Sequence, residues 1–215
     1  MKIYVVGSSK NRFLPLNNIR EKFLIDQPHE GDNIDKYNHL YCELTGLYYL
    51  WKHVDDDIVG LEHYRRYFVN NRWQILGENE VKSLLTNADI LCAQAKYSKI
   101  RPVITWINTN RKRYDFDKFL IFAKCYVGEE YINNCWHILN GDYHCLGNMF
   151  ICKKELIDEY CSFIFDLLDK YHKAELIYNR IPPNRIFGYF AEFLFAAWLK
   201  MKNKKIKWIR WKITR

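Results

Sequence analysis

The sequence predicts an α/β fold: one domain with a mostly parallel central sheet flanked by helices. Short apolar runs such as Lys2–Gly7 and Asp57–Leu61 alternate with longer segments whose apolar residues recur every three or four positions. Strands and helices that alternate in this way favour parallel strands joined by crossover helices. The chain has 215 residues, of which 49% are hydrophobic, and this is enough for one such domain.

Each element has its own local signal. The first strand, Lys2–Gly7, leads into an irregular stretch and a turn at Gly31–Ile34. Helical spacing of apolar residues predicts helices at 41–53, 78–85, 115–125, 129–139, 154–171 and 187–199. Short apolar runs predict strands at 57–61 and 89–93, and residues 141–152 predict a loop followed by a strand.

The net charge of +8 comes entirely from the C-terminal end. Residues 1–199 contain 25 basic and 25 acidic residues, whereas 200–215 contain eight Lys or Arg and no acid. Trp208 and Trp211 are interleaved with these cations, as suits an anionic membrane surface. Nucleic acid, or a last amphipathic strand or helix with a solvated basic face, would also fit. We therefore divide the chain into a domain, 1–199, and a basic, Trp-containing tail, 200–215.

The sequence lacks the signals of several common classes of protein. No run of about 18 apolar residues predicts a membrane span, and the apolar run near the N-terminus is too short for a secretion signal. The seven cysteines are odd in number and lack CxxC spacing, which favours reduced thiols over a disulfide framework or a zinc site. The GxGxxG, P-loop, HExxH and GxSxG motifs are all absent.

Polar residues follow the predicted strands. In open α/β sheets ligands collect at the carboxyl ends of strands, where Gly7, His63–Arg66 and Ala93–Gln94 are expected to share one edge. An arginine keeps its charge and can bind phosphate oxygens with two hydrogen bonds. Arg65 and Arg66, with His63, therefore predict an anion clamp, although two solvated surface arginines would look the same.

Four segments carry a family resemblance. They are DNIDKYNHLYCELTGLYYLWKH (32–53), VGLEHYRRYF (59–68), GNMFICKKELIDEYCSFIFDLL (147–168) and AEFLFAAWL (191–199). In this order they resemble a bacterial domain of unknown function that is found in capsular and exopolysaccharide synthesis loci and is treated as a glycosyltransferase. The resemblance implies a single GT-A-like domain. It also implies transfer of a hexose, galactofuranose or galactose, from a UDP-sugar to a lipid-linked saccharide. The GSSK and GYFAEF sequences and the basic tail depart from the family pattern.

The implied reaction gives the arginines a role. Many GT-A enzymes stabilise the leaving diphosphate with a metal held by Asp-x-Asp, which this strand end lacks. Fixed cations can supply that charge, so we expect a metal-free clamp by Arg65, Arg66 or both. Because neighbours on a strand face opposite ways, one of the two would pair with a core acid such as Glu43. Mn²⁺ or Mg²⁺ remains the alternative, held by Asp55–Asp57 or by His63 with Asp142 or Glu192.

Further residues are candidates for contacts with the donor or for proton transfer. The uracil, ribose or donor sugar would contact Asp32, Asn33, Tyr41, Glu43, Thr45 and Asn148. The structural alternatives are a turn with a capped helix and a buried amide. An inverting transferase needs a carboxylate to deprotonate the acceptor hydroxyl. Asp142 is favoured, followed by Glu192, which could instead bind sugar or be structural, and by Asp89. A retaining mechanism would need no such base.

These expectations together describe a cytoplasmic enzyme that is peripheral on the inner face of the plasma membrane. Residues 200–215 would dock on the anionic inner leaflet, where the lipid-linked acceptor lies, and nucleic acid is not expected as a partner. Two other functions stay open: a non-enzymatic module that binds anionic surfaces or nucleic acid, and a nucleotide-sugar hydrolase.

Overall fold

The structure, a computed structural model, describes residues 1–94, 113–139 and 145–213, and it confirms the α/β class. The strands are β1 (Lys2–Gly7), β2 (Arg20–Leu24), β3 (Ile58–His63), β4 (Arg66–Phe68), β5 (Ile90–Gln94), β6 (Cys145–Lys153), β7 (Ile206–Ile209) and β8 (Trp211–Ile213). The helices are α1 (Asn38–Tyr41), α2 (Leu44–His53), α3 (Glu78–Leu85), α4 (Arg113–Leu139), α5 (Lys154–Ile177) and α6 (Ile186–Met201), and a 3₁₀ turn precedes α1 at Asp35–Tyr37.

Within the described ranges the strands form one eight-stranded sheet of order β2-β1-β3-β6-β5-β7, with β4 between β3 and β8. β2, β1 and β3 are parallel, as are β5 and β7, but β6 runs antiparallel to both of its neighbours. The sheet is therefore mixed, where the sequence predicted a mostly parallel one. A mostly apolar strand such as β6 can be buried in either direction, so its hydrophobic pattern does not show whether it is parallel or antiparallel to its neighbours.

Helices cover both faces of this sheet. Residues of α2, α4, α5 and α6 pack on one face in a large, aromatic-rich core, in which the rings of Phe119 and Phe190 stack at 4.2 Å. α3 covers the other face. α4 breaks at Gly128, where φ is 79°, as the two helices predicted on either side of this glycine require. Among the described residues no helix is long and apolar enough to cross a bilayer.

The basic C-terminal segment is part of the sheet. Residues 200–215 were assigned to a separate tail, but β7 pairs with β5 and β8 pairs with β4. Ile209 and Trp211 are buried and the residue between them, Arg210, is exposed, which is the alternation expected for an extended chain with one solvated face. The predicted boundary between a domain and a tail after residue 199 is therefore corrected. The segment forms amphipathic strands, which was one of the alternatives left open by the sequence.

A buried ion pair ties β2 to β3. Arg20 donates two hydrogen bonds of 2.7 Å to the carboxylate of Glu62, and neither side chain is exposed. The same carboxylate accepts the backbone N–H of Phe68 at 3.0 Å, and Arg20 also donates to the carbonyl oxygen of Leu76 at 2.7 Å. Such pairs add little net stability, but removing one partner leaves a buried charge without compensation.

We predict that Glu62→Gln lowers the free energy of unfolding by about 3–5 kcal/mol, because the Arg20 charge stays buried without its partner. Urea unfolding monitored by circular dichroism measures this change. Glu21→Gln is the matched control, since its pair with Lys2 is exposed, and it should cost less than about 1 kcal/mol. Equal costs for the two variants would contradict a structural role for the buried pair.

Candidate functional site

The carboxyl ends of β1 and β3 form a crevice. These strands are parallel neighbours, but the chain leaves β1 toward β2 on one side and leaves β3 toward β4 on the other. Ligands bind at such switch points in open α/β sheets. A cavity of about 210 Å³ lies here, lined by Val6, Gly7, Asn11, Ile25, Cys42, Glu43, His63, Tyr64, Arg65 and Arg185.

A tight turn brings two side chains of the HYRRYF motif to this cavity. His63 pairs with Arg66 across β3 and β4, so Tyr64 and Arg65 form a two-residue loop. The N–H of Tyr64 donates to the carbonyl oxygen of Val6 at 2.9 Å, which ties the loop to β1. A Cβ atom at Gly7 would lie 2.8 Å from the Cβ of Tyr64, so this close approach requires glycine.

The two arginines of the motif face different surroundings. Arg65 lines the cavity, with its guanidinium 5.1 Å from the ring centre of Tyr64. Arg66 does not line the cavity, and its guanidinium lies 5.8 Å from the ring centre of Trp211. Neither forms an ion pair within the described part of the chain. The predicted pairing of one of them with Glu43 is therefore wrong, whereas Arg20 pairs with the core acid Glu62.

His63 is neutral in this setting. Burial, followed by the charges of Arg66, Arg65 and Arg185, lowers the pKa of His63 to about 3. Its Nδ1 accepts the backbone N–H of Arg65 at 3.4 Å. The imidazole therefore shapes the turn and adds no positive charge to it.

Arg185, which sequence reasoning missed, is a second cation of the cavity. It stands immediately before α6 with a left-handed φ of 67°, and its N–H donates to the carbonyl oxygen of His39 at 2.7 Å. Its guanidinium lies 5.7 Å from the ring centre of Tyr189. A cation at a helix N-terminus opposes the helix dipole. That unfavourable placement is the signal in the sequence that could have indicated a function.

A half-buried carboxyl group, that of Glu43, forms another wall. Its removal from water and the negative charge of the nearby Glu192 together raise the pKa of Glu43 to about 7. Glu43 Oε1 accepts a hydrogen bond of 3.1 Å from Nδ2 of Asn148, which also donates to the carbonyl oxygen of Gly188 at 3.3 Å. Glu192 follows Gly188 by one helical turn on the same side of α6. This site can therefore hold or release a proton near neutral pH.

The backbone around the cavity is strained. Cys42, Asn148 and Arg185 adopt left-handed φ values of 52°, 53° and 67°, each at a cost of roughly 1–2 kcal/mol for a residue other than glycine. The buried Oδ1 of Asn148 has no hydrogen-bond partner among the residues that the structure describes. Strain and unsatisfied polar atoms of this kind are concentrated at functional sites.

Four predicted contact residues lie elsewhere. Asp32 accepts a hydrogen bond of 2.9 Å from the Tyr48 hydroxyl, near the far end of α2, and Asn33 donates to the carbonyl oxygen of His29 within its own turn. Tyr41 packs on Phe187 in the core, and Thr45 is buried with its hydroxyl on Asn38. The cavity lining includes none of Asp32, Asn33, Tyr41 and Thr45. Their contacts are those of a turn followed by a helix, which was the structural alternative to a role in binding.

The remaining candidate acids that the structure describes do not lie at this edge. Asp142 lies outside the described residues. Asp89 accepts the N–H of Lys205 at 2.7 Å at the opposite edge of the sheet, and Asp55–Asp57 precede β3 at that same end, where Asp56 pairs with the N-terminal ammonium group. In the described ranges, no group of three or more His, Cys, Asp and Glu side chains is arranged to hold a metal ion.

Because the pKa of Glu43 is raised in the folded state, its charged form opposes folding. We predict that stability decreases between about pH 4.5 and pH 7, as the folded protein loses a proton that the unfolded chain has already lost. Glu43→Gln should abolish this decrease and make the protein about 3 kcal/mol more stable than the wild type at pH 8. Urea unfolding from pH 5 to pH 8 measures the difference, with the exposed Glu129→Gln as control. Parallel curves for wild type and Glu43→Gln would contradict the prediction.

Comparison with known proteins supports the fold and shows the family. The apo structure of WbbM, described as a bifunctional glycosyltransferase, matches 99% of this chain with a TM-score of 0.79 and 21% identity. This chain spans 45% of that protein's length. The curated proteins give no match. The family model for a domain of unknown function, DUF4422, matches residues 2–204, so the chain belongs to the DUF4422 family.

Proposed function

We propose that this chain is a glycosyltransferase domain that moves a hexose, galactofuranose or galactose, from a UDP-sugar to a lipid-linked saccharide in the synthesis of a surface polysaccharide. One observation carries the proposal. The switch-point cavity gathers two arginines, a neutral histidine and a carboxyl group that titrates near pH 7, in a fold that is similar to that of a glycosyltransferase.

The two cavity arginines are suited to the diphosphate of the donor. Arg65 and Arg185 both line the cavity, and neither is engaged in an ion pair among the described residues. Both side chains are exposed, so they can reach a bound diphosphate, and a cation fixed beside it would stabilise its developing charge. The clamp proposed from the sequence thus keeps Arg65, gains Arg185 and loses Arg66. Mn²⁺ or Mg²⁺ remains the alternative source of positive charge.

A carboxylate is also available for the acceptor. We assign the role of base to Glu43, because it lines the cavity and its pKa of about 7 is suited to proton transfer near neutral pH. The oxygen of the acceptor hydroxyl would attack the anomeric carbon of the donor sugar as UDP leaves. Glu43 would take the proton of that hydroxyl in the same step. Glu192 acts through Glu43, since its negative charge raises the pKa of that group. Asp142 remains the competing candidate.

We predict that the purified protein binds UDP in the presence of EDTA, as measured by calorimetry. Arg65→Gln and Arg185→Gln should each weaken binding roughly 10- to 100-fold, because each removes charge-assisted hydrogen bonds to phosphate. Arg66→Gln is the matched control and should leave the affinity within about twofold, since Arg66 does not line the cavity.

Other outcomes would overturn parts of this proposal. Binding that requires Mn²⁺ would replace the arginine clamp with a metal site. Equal losses in all three arginine variants would mean that the cavity is not the binding site. If UDP binds neither in EDTA nor in Mn²⁺, a non-enzymatic binding module would be favoured.

We further predict that Glu43→Gln lowers turnover roughly 10²- to 10⁴-fold and leaves UDP affinity unchanged, as expected for loss of a general base. Wild-type activity should rise with pH with a midpoint near 7, and Glu192→Gln should move this midpoint to lower pH. A large loss of turnover in Asp142→Asn, with little loss in Glu43→Gln, would assign the base to Asp142. Release of free sugar without an acceptor would indicate a hydrolase.

A further inference from the structure

Three cations lie on the two C-terminal strands and at their junction. Lys207 and Arg210 are exposed, and Nζ of Lys212 donates to the backbone oxygen of Trp73 at 3.3 Å. None of the three cations forms an ion pair in the described ranges of the chain. Residues 1–199 are neutral as a whole, so the excess positive charge lies in 200–215, and these three cations are part of it.

Two large apolar side chains are exposed beside these cations. Trp73 is 55% exposed and Ile213 is 58% exposed. Trp73 lies in a turn closed by the hydrogen bond from Asn70 N–H to the Gln74 oxygen, and its φ of 61° is uncommon for a bulky residue. The turn therefore holds an indole in solvent despite a backbone cost. We refer to Trp73, Lys207, Arg210, Lys212 and Ile213 as the basic surface.

A groove of about 620 Å³ adjoins the basic surface. Lys207 and Arg210 line it together with the amides of Asn71 and Asn79 and the hydroxyl-bearing Ser83. Its carboxylate, Glu80, is already engaged by the N–H of Gly77 and by the amide of Asn70. Cations and free amides in one groove match the phosphodiester of a lipid headgroup, which carries one negative charge and several acceptor oxygens.

We propose that the basic surface docks the protein on an anionic lipid bilayer, with headgroups in this groove and Trp73 and Ile213 at the level of the interface. Tryptophan among lysines is typical of such positions. An aliphatic side chain such as Ile213 offers no ring on which a base could stack, and six of the seven cations in 200–213 are lysines, which lack the flat guanidinium that stacks on bases; a nucleic acid is therefore the less favoured partner.

The basic surface is also close to the cavity. Ile213 pairs with Arg66 in the ladder between β4 and β8, and Arg66 is the neighbour of Arg65. Docking would thus bring the cavity near the bilayer, where a lipid-linked acceptor would be found. Lipid binding is measured without turnover, so its failure and a failure of the proposed transferase activity are distinguishable.

The test is sedimentation of the full chain with vesicles of phosphatidylcholine, alone or mixed with phosphatidylglycerol. We expect binding to the anionic vesicles only, with loss at high salt. The triple variant Lys207→Gln, Arg210→Gln, Lys212→Gln should reduce the partition coefficient roughly 100-fold, at about fivefold for each cation. Trp73→Ala should reduce it several-fold with all charges present.

A triple variant of equal charge is the matched control. Lys36→Gln, Lys170→Gln, Lys173→Gln removes three exposed lysines, two of them on α5 at the other face of the sheet, and it should bind as the wild type does. Equal losses in the two triple variants, or no binding of the wild type to anionic vesicles, would overturn the proposal. Tighter binding to duplex DNA or single-stranded RNA than to the vesicles would overturn it in favour of a nucleic-acid partner.

Discussion

The bidentate pair between Arg20 and Glu62 is the interaction on which the arrangement of the cavity depends. One carboxylate receives two hydrogen bonds from Arg20 and one from the N–H of Phe68, so β2, β3 and β4 meet at a single buried group. The turn of Tyr64 and Arg65 lies between the two strands that this carboxylate joins. A hydrophobic pair could fill the same space, but it could not fix the end of β4 through a hydrogen bond to Phe68. The pair therefore contributes more to the position of the turn than to net stability.

The cavity itself is assembled from groups that oppose folding. Glu43 carries a pKa of about 7, His63 is kept neutral among arginines, and Asn148 leaves one buried oxygen without a partner in the described chain. The surrounding core of α2, α5 and α6 is dense and aromatic, and it offsets these local costs. Unfavourable groups gathered at one edge of an otherwise well-packed domain are expected where binding or catalysis has determined the residue types.

Much of this could be predicted from the sequence. Apolar periodicity gave the main helices and strands, because burial on one face leaves a period of two or 3.6 residues. The HYRRYF motif was placed at the correct edge, since a buried strand must end before two arginines. The direction of β6 could not be predicted from its mostly apolar sequence, and Arg185 approaches the cavity only because α6 packs across the sheet. Asp32 and Asn33 were misplaced because a turn and a binding loop favour the same residues.

The central claim is that the edge shared by β1 and β3 binds a nucleotide diphosphate between Arg65 and Arg185. A crystal structure of the protein grown with UDP and EDTA tests it most directly. We expect the diphosphate to lie in the cavity beside Tyr64, within hydrogen-bonding distance of both guanidinium groups. Density for the nucleotide in the groove beside Lys207 and Arg210, or a diphosphate that contacts neither Arg65 nor Arg185, would contradict it.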